Sequence, residues 1–166
     1  NKPLITSENW IDILKDIGIK KVLVTTSDNI ERMNLITEAR NSGLELINAI
    51  HPTATIMDDA ILHDNIMIHA RAFIGYRSEI HSGSLINNNS FLDHHNVVYS
   101  SAQLAPGVVT AGNVTIGKCS YIWTGAVIIN MVRIGEQSII GAGSVVLKDV
   151  PSFKTMVGVP GEIILE

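Results

Sequence analysis

Two adjacent histidines are the residues of this 166-residue sequence best suited to chemistry. His94 and His95 follow Asp93 in a polar stretch, NNNSFLDHHN, that covers residues 87–96. A neutral imidazole accepts a proton near neutral pH, so a histidine here could act as a general base. Surface histidines in an asparagine-rich turn would give the same pattern, and these residues alone leave both interpretations open.

The polar stretch lies inside a six-residue repeat that runs from Ile56 to Val146. In steps of six, fifteen of sixteen positions carry Ile, Leu or Val, and the exception is Thr110. A second set of mostly small residues follows four places after each, and its one amide is Asn96. A period of six fits neither an α-helix nor a plain strand, but it fits a chain that turns a corner every six residues. The sequence therefore predicts a mainly β fold, a hexapeptide β-helix of about five triangular coils.

Residues eighteen apart should stack on successive coils, which predicts the surroundings of His94. Tyr76 is expected below it, and Gly112 above it, where the missing side chain would leave open space. The repeat is broken at Asn96 and Thr110, on either side of this position. Irregularities in a regular architecture tend to mark functional sites, so we interpret this corner as the candidate site.

The amino-terminal residues predict a β-α-β unit. Strands are expected at 20–26 and 44–50, joined by a helix that begins after the capping residue Asp28 and ends near Gly43. An earlier helix, capped by Ser7, is expected to bury one apolar face. That face would contain Trp10, Ile13, Leu14 and Ile17. The pattern is typical of a partial Rossmann-like lobe, although no G-x-G-x-x-G phosphate-binding turn precedes a helix.

The patterns divide the chain into three predicted parts. Residues 1–50 form the lobe on the acceptor side, and residues 51–150 form the β-helix after a hinge at Pro52. Residues 151–166 are expected to form a C-terminal tail that leaves the β-helix.

Composition excludes several classes of protein. The formal charge of −4 provides no basic stripe for a nucleic acid, and no apolar run approaches the roughly 20 residues of a membrane span. The single cysteine, Cys119, excludes an internal disulfide framework and suits a reducing cytoplasm.

Three segments carry a resemblance to a known enzyme family. They are LINNNSFLDHHNVV, LAPGVVTAGNVTIG and VGVPG. They resemble the hexapeptide-repeat sugar acetyltransferases, which include sialic acid O-acetyltransferase and bacterial UDP-amino-sugar N-acetyltransferases. The resemblance covers the β-helix and the partial lobe. It implies a left-handed parallel β-helix, a homotrimer with active sites between subunits, and a cytoplasmic enzyme with no metal.

The implied activity is transfer of an acetyl group from acetyl-CoA to an amine or hydroxyl of a sugar, in bacterial surface-glycan synthesis. The acceptor would be a nucleotide-activated amino sugar or sialic acid. By the resemblance, His94 is the general base and the Gly112 N–H holds the thioester carbonyl. Thr124 and Ala142 would line the acetyl-CoA channel between subunits. Transfer would be direct, with no acyl-enzyme, and Cys119 is interpreted as an ordinary thiol.

The sequence departs from the family pattern near this site. A carboxylate usually follows the base, and here the residue is His95, so Asp93, another residue or water must orient the imidazole. Gln103 stands where a histidine near acetyl-CoA is usual, and it cannot titrate. Trp123 occupies a corner where glycine is frequent, and it could equally stack on the coenzyme or pack at a subunit contact.

Two other functions remain open at the level of sequence. A γ-class carbonic anhydrase needs three histidines across a subunit boundary, and no histidine here has the required two-coil spacing. A non-catalytic structural or binding β-helix would not bind or consume acetyl-CoA. His63 and His81 should stack one coil apart below Tyr99, and since no third ligand falls in register we expect a surface ladder instead of a metal site.

Overall fold

A three-sided parallel β-helix makes up most of the chain, of which residues 9–164 are described by the computed structural model. Strands of two or three residues alternate with tight corners. In chain order, the helices and strands are α1 (Trp10–Asp16), β1 (Lys21–Val22), α2 (Asn29–Asn41), β2 (Glu45–Leu46), β3 (Ala49–Ile50), β4 (Thr55–Ile56), β5 (Ile61–Leu62), β6 (Met67–Ile68), β7 (Phe73–Ile74), β8 (Glu79–Ile80), β9 (Leu85–Ile86), β10 (Phe91–Leu92), β11 (Val97–Val98), β12 (Gln103–Leu104), β13 (Val109–Thr110), β14 (Thr115–Ile116), β15 (Tyr121–Ile122), β16 (Val127–Ile128), β17 (Arg133–Ile134), β18 (Ile139–Ile140), β19 (Val145–Val146), β20 (Thr155–Val157) and β21 (Glu162–Ile163).

Three sheets form the faces of the β-helix. Face 1 contains β4, β7, β10, β13, β16 and β19, and face 2 contains β5, β8, β11, β14 and β17. Face 3 contains β3, β6, β9, β12, β15, β18 and β20, with β21 at its end. Corners 1, 2 and 3 are the turns that follow strands of faces 1, 2 and 3. Leu92 pairs with Ile74 on one side and Thr110 on the other, so neighbouring coils are eighteen residues apart, as the repeat predicts.

The large aliphatic residues of the repeat fill the interior. From Ile74 to Val146, every residue in steps of six is at most 2% exposed. The small residues at the corners also supply hydrogen bonds. Ser78 Oγ donates to the carbonyl oxygen of Asp93 (3.0 Å), and Ser120 Oγ donates to that of Gly135 (2.6 Å). Serine therefore fits this position by its hydroxyl as well as by its size.

Each corner uses a residue in the left-handed backbone region. Positive φ recurs every six residues from Asn65 to Gly143, and His95 is one of these residues, with φ of 57°. The direction of the side chains next to it, including His94, is therefore fixed by the turn.

The lobe contains a single β-α-β unit. β1 and β2 pair in parallel, with Lys21 opposite Glu45, and α2 connects them. The predicted capping residue Asp28 accepts hydrogen bonds from the N–H groups of Ile30 (2.9 Å) and Glu31 (2.7 Å). Both strands are shorter than predicted, and a two-stranded sheet does not establish a Rossmann-like lobe.

The first helix differs from the prediction. Asn9 is its N-cap, while Ser7 lies outside the described residues. Ile11 is its buried residue and packs with Ala39 and Leu44, whereas Ile17 follows the helix and is 58% exposed. Trp10 and Leu14 of the predicted face pack against the same cluster, but Ile17 does not belong to it because the helix ends before that residue.

Both predicted boundaries of the β-helix are shifted outward. β3 pairs with β6, so residues 49–50 belong to the β-helix and not to the lobe. The predicted tail does not leave the β-helix. β20 pairs in parallel with β18, its Met156 is fully buried, and β21 folds back antiparallel against it.

Polar contacts hold α2 against the β-helix. The fully buried guanidinium of Arg32 donates to the carbonyl oxygens of Gly83 (2.8 Å), Ser101 (2.9 Å) and Thr26 (2.8 Å), and to Asn29 Oδ1 (2.6 Å). Burial lowers the pKa of Arg32. Within the described chain, neither helix is long and apolar enough to cross a membrane.

A surface ion pair adds to this contact. Arg40 Nη2 lies 2.8 Å from Asp64 Oδ1. Burial alone would raise the pKa of Asp64, but hydrogen bonds from Ser82 and Arg40 outweigh it, and the pKa of the carboxyl is lowered.

Candidate active site

The Asp93–His95 turn lies at corner 1, directly after β10. Both imidazoles are exposed. The Asp93 carboxylate accepts a hydrogen bond from the backbone N–H of His94 (2.8 Å). This contact holds the turn, so Asp93 positions the backbone of His94 and not its ring.

His95 is the residue that contacts the ring of His94. The two Nδ1 atoms are 3.0 Å apart, with the rings nearly perpendicular at 86°. One of these nitrogens must carry the hydrogen and the other must accept it. If His94 donates, its Nε2 has a free lone pair and can take up a proton. His95 packs edge-on against Tyr76, with the ring centroids 5.6 Å apart.

Gly112 lies one coil above His94, in contact with its imidazole. A Cβ atom at Gly112 would lie 2.3 Å from Cε1 and 2.5 Å from Nε2 of His94. The space above His94 is therefore filled by its own ring, which corrects the expectation of open space. Within the described chain, the Gly112 N–H donates to no acceptor. A free backbone donor thus lies beside the imidazole.

The two irregular residues of the repeat support this corner from inside. Asn96 is buried, and its Nδ2 donates to the carbonyl oxygen of Asp93 (2.6 Å) while its Oδ1 accepts from the N–H of Val114 (2.9 Å). It therefore ties two coils together behind His94. Thr110 is buried above Leu92, and its hydroxyl has no hydrogen-bond partner in the described part of the chain.

The other predicted site residues lie elsewhere on the same chain. Trp123, Thr124 and Ala142 are exposed at corner 3, and the Trp123 ring stacks on Tyr121 with centroids 4.4 Å apart. Gln103 lies on face 3, in β12. Asp93, His94, His95 and Gly112 therefore lie together at corner 1 of one chain. The four predicted coenzyme residues lie apart from them, on face 3 and at corner 3.

Gln103 borders a cavity of about 500 Å³ between face 3 and the start of α2. The residue is 7% exposed, and its Oε1 accepts no hydrogen bond from the described residues. Asn29, Tyr121 and Gln137 also line the cavity. The Oε1 atom is itself buried, so this acceptor is not open to the cavity.

A second group of polar side chains lies at corner 2. The predicted ladder is present, with ring centroids 4.5 Å apart for His63 and His81 and 5.0 Å apart for His81 and Tyr99. Among the described residues, no third ligand lies in the register of this ladder, but the expectation missed Glu79, which reaches both histidines from the neighbouring register. Glu79 Oε1 is 2.8 Å from His63 Nε2 and 3.4 Å from His81 Nε2. Glu79 precedes His81 by two residues, and this spacing was the signal in the sequence.

The charges of this group follow from the contacts. The hydrogen bond from His63 lowers the pKa of Glu79. Burial lowers the pKa of His81, more than the nearby carboxylate raises it.

The chain is similar to several solved acetyltransferases. Over 98% of its length it matches PerB from Caulobacter crescentus, solved with CoA and GDP-perosamine, at 31% identity and a TM-score of 0.96, covering 79% of that protein. A variant of GDP-perosamine N-acetyltransferase from the same organism matches at 31% identity and 0.94, over 96% of this chain and 76% of that one.

A more distant match is the acetyltransferase domain of PglB from Neisseria gonorrhoeae, solved with acetyl coenzyme A. It is 26% identical over 99% of this chain and 84% of that chain, with a TM-score of 0.90. No protein-family model and no curated protein sequence matches the chain.

Proposed function

Because the chain belongs to the hexapeptide-repeat sugar acetyltransferases, which are left-handed parallel β-helices, we propose that it transfers an acetyl group from acetyl-CoA to a sugar. The acceptor is a nucleotide-activated amino sugar, and the reaction contributes to bacterial surface-glycan synthesis. N-acetylation is favoured over O-acetylation because PerB binds GDP-perosamine and a similar protein is an N-acetyltransferase. The observation that carries the proposal is the free Gly112 N–H beside the His94 imidazole.

The proposed mechanism is direct transfer in a ternary complex. The sugar amine attacks the thioester carbonyl, and His94 Nε2 takes the proton that the amine loses. The Gly112 N–H donates to the oxyanion that forms on the carbonyl oxygen. When the C–S bond breaks, the acetyl group stays on the sugar and coenzyme A leaves as its thiolate.

His95 and Asp93 are positioning residues in this mechanism. His95 accepts the Nδ1–H hydrogen of His94, which leaves Nε2 free to act as the base. Asp93 holds the backbone of the turn. Neither needs to touch the substrate.

Cys119 takes no part in transfer. Burial raises the pKa of its thiol, which lies 3.6 Å from the Asn29 carbonyl oxygen and 3.7 Å from Met33 Sδ. A protonated, covered thiol is a poor nucleophile, which supports a mechanism without an acyl-enzyme. A free thiol also fits the reducing cytoplasm, where we place the reaction.

The enzyme is proposed to be a homotrimer with the coenzyme between neighbouring chains. Gln103, Trp123, Thr124 and Ala142 would contact acetyl-CoA from one chain, and His94 would act from the next. Two observations support this. The predicted coenzyme residues lie on face 3 and at corner 3, away from His94 at corner 1 of the same chain, and the outer side of face 1 is an apolar row. This row consists of Phe73, Phe91, Val109, Val127 and Val145. Three-fold symmetry suits a three-sided β-helix.

An acetyl-CoA consumption screen tests the proposal. GDP- and UDP-linked amino sugars and free sialic acids are offered to the wild-type protein and to a His94→Ala variant. We expect turnover with an amino-sugar nucleotide and a loss of kcat of at least about a hundredfold in the variant. Thermal unfolding and sedimentation of both proteins control for folding and assembly.

Two outcomes would contradict the proposal. Near-wild-type transfer by a correctly assembled His94→Ala variant would refute the base. Absence of acetyl-CoA binding by calorimetry, together with no turnover of any acceptor, would indicate a structural or binding β-helix.

A further inference from the structure

Three metal-ligand side chains meet at corner 2, on a different corner of the same chain from His94. His63 and His81 follow β5 and β8, and Glu79 lies in β8 itself. We propose that His63, Glu79 and His81 form a binding site for a divalent transition-metal ion of the Zn²⁺ class. It is the one group of three or more such side chains close enough to share an ion in residues 9–164.

The ligand atoms are close to the arrangement that an ion requires. One nitrogen from each histidine and one oxygen from Glu79 all lie within 4.8 Å of one another. Tetrahedral Zn²⁺ with nitrogen and oxygen ligands at about 2.0–2.2 Å places neighbouring ligand atoms about 3.3 Å apart. The contact between His81 and Glu79 is already 3.4 Å, and the 2.8 Å contact between His63 and Glu79 would open by roughly half an ångström. The two imidazole planes are nearly parallel, at 14° to each other, so one ring must turn about its bond to Cβ before both lone pairs point at the same ion.

The backbone that carries these ligands is held in register. The N–H of His63 donates to the carbonyl oxygen of Ile80 (3.0 Å), and that of His81 donates to Val98 (2.8 Å). Asn48 Nδ2 donates to the carbonyl oxygen of His63 (2.8 Å). Glu79 thus lies in a strand, and the two histidines directly follow adjacent strands, with backbone hydrogen bonds that continue the ladder of the sheet.

The ligand types select the class of ion. Two imidazoles and one carboxylate suit Zn²⁺ and similar transition metals, whereas Mg²⁺ and Ca²⁺ require mostly oxygen ligands. The three side chains are 24–40% exposed, so water can supply the fourth ligand. Because His63 and His81 belong to successive coils, the ion would cross-link them and stabilise the folded chain.

Calorimetric titration of the untagged, chelator-treated full chain with Zn²⁺ tests the site, with Co²⁺ absorption spectra as a second readout. We expect one ion per chain and a higher thermal midpoint with Zn²⁺. A His63→Asn, His81→Asn double variant should lose both effects, and Glu79→Gln should bind at least about tenfold more weakly.

His95→Asn is the matched control, because the pair of His94 and His95 also presents close nitrogen atoms. This variant should bind Zn²⁺ as the wild type does. The proposal is overturned if wild-type protein binds no Zn²⁺, if the double variant binds it unchanged, or if binding disappears in His95→Asn instead. Metal binding is measured without acetyl transfer, so the result is independent of the proposed enzyme activity.

Discussion

At the scale of single residues, the proposed base depends on which of two histidines holds one hydrogen. His95 can accept a hydrogen bond from His94 Nδ1 only when the hydrogen of the His95 ring is on its own Nε2 atom. A carboxylate in this place would accept in every state and would also stabilise the imidazolium that forms during transfer. An imidazole that accepts this hydrogen bond can orient the base but supplies no charge.

Substitutions of His95 separate orientation from charge. His95→Phe keeps an aromatic ring beside Tyr76 but cannot accept, so we expect kcat to fall about tenfold with the KM for acetyl-CoA unchanged. His95→Gln should restore most of the rate through its side-chain oxygen, and His95→Glu should exceed the wild-type rate severalfold because it adds charge. Steady-state kinetics measures kcat and KM separately for each variant. Equal kcat values for the Phe and Gln variants would contradict a positioning role.

Some contacts of the residues at corner 1 could be predicted from the sequence, and others could not. The stacking of Gly112 on His94 follows from the eighteen-residue coil, and the structure has it. The contact between His94 and His95 did not follow, since adjacent side chains meet here only through the left-handed backbone of residue 95. The same turn directs Asp93 to the backbone, which spacing alone could not predict.

At the scale of elements, α2 is a helix whose buried face is half polar. Its buried residues are Asn29, Arg32, Ile36 and Ala39. The capping residue Asp28 and the final Gly43 predict where the helix lies. Its docking on the β-helix could not be predicted, because an arginine in a polar helix has the pattern of a solvent-facing residue until backbone carbonyls converge on it.

Replacing Arg32 tests this docking. Arg32→Lys keeps the charge but cannot reproduce the planar fork that donates to three carbonyl oxygens, so we expect a loss of roughly 2–4 kcal/mol in the free energy of unfolding. Arg40→Lys is the matched control, since its exposed pair with Asp64 should change stability by less than about 1 kcal/mol. Urea unfolding measures both, and equal losses would show that Arg32 does not fix the lobe.

At the scale of the whole molecule, the β-helix could be predicted because three six-residue repeats make up the eighteen-residue register between neighbouring coils. Each six-residue step places one aliphatic side chain inside, and three steps return to the neighbouring strand, as the pairing of Leu92 with Ile74 and Thr110 shows. Near the ends this rule no longer applies. β20 continues face 3 after the repeat has ended at Val146, and no local sequence pattern predicted this strand.

The separation of corner 1 from corner 3 leads to a prediction about the assembly. If each active site combines His94 of one chain with the acetyl-CoA channel of the next, two inactive variants should complement each other. His94→Ala lacks the base, and Ala142→Trp, at an exposed corner position, should block the channel. In randomly mixed trimers about a quarter of the sites would join an intact base to an intact channel, so co-expression should restore roughly a quarter of wild-type activity.

Each variant expressed alone should stay inactive while sedimenting as a trimer. Failure to recover activity in mixed trimers would show that one chain forms the whole site, and the coenzyme would then have to bind at corner 1.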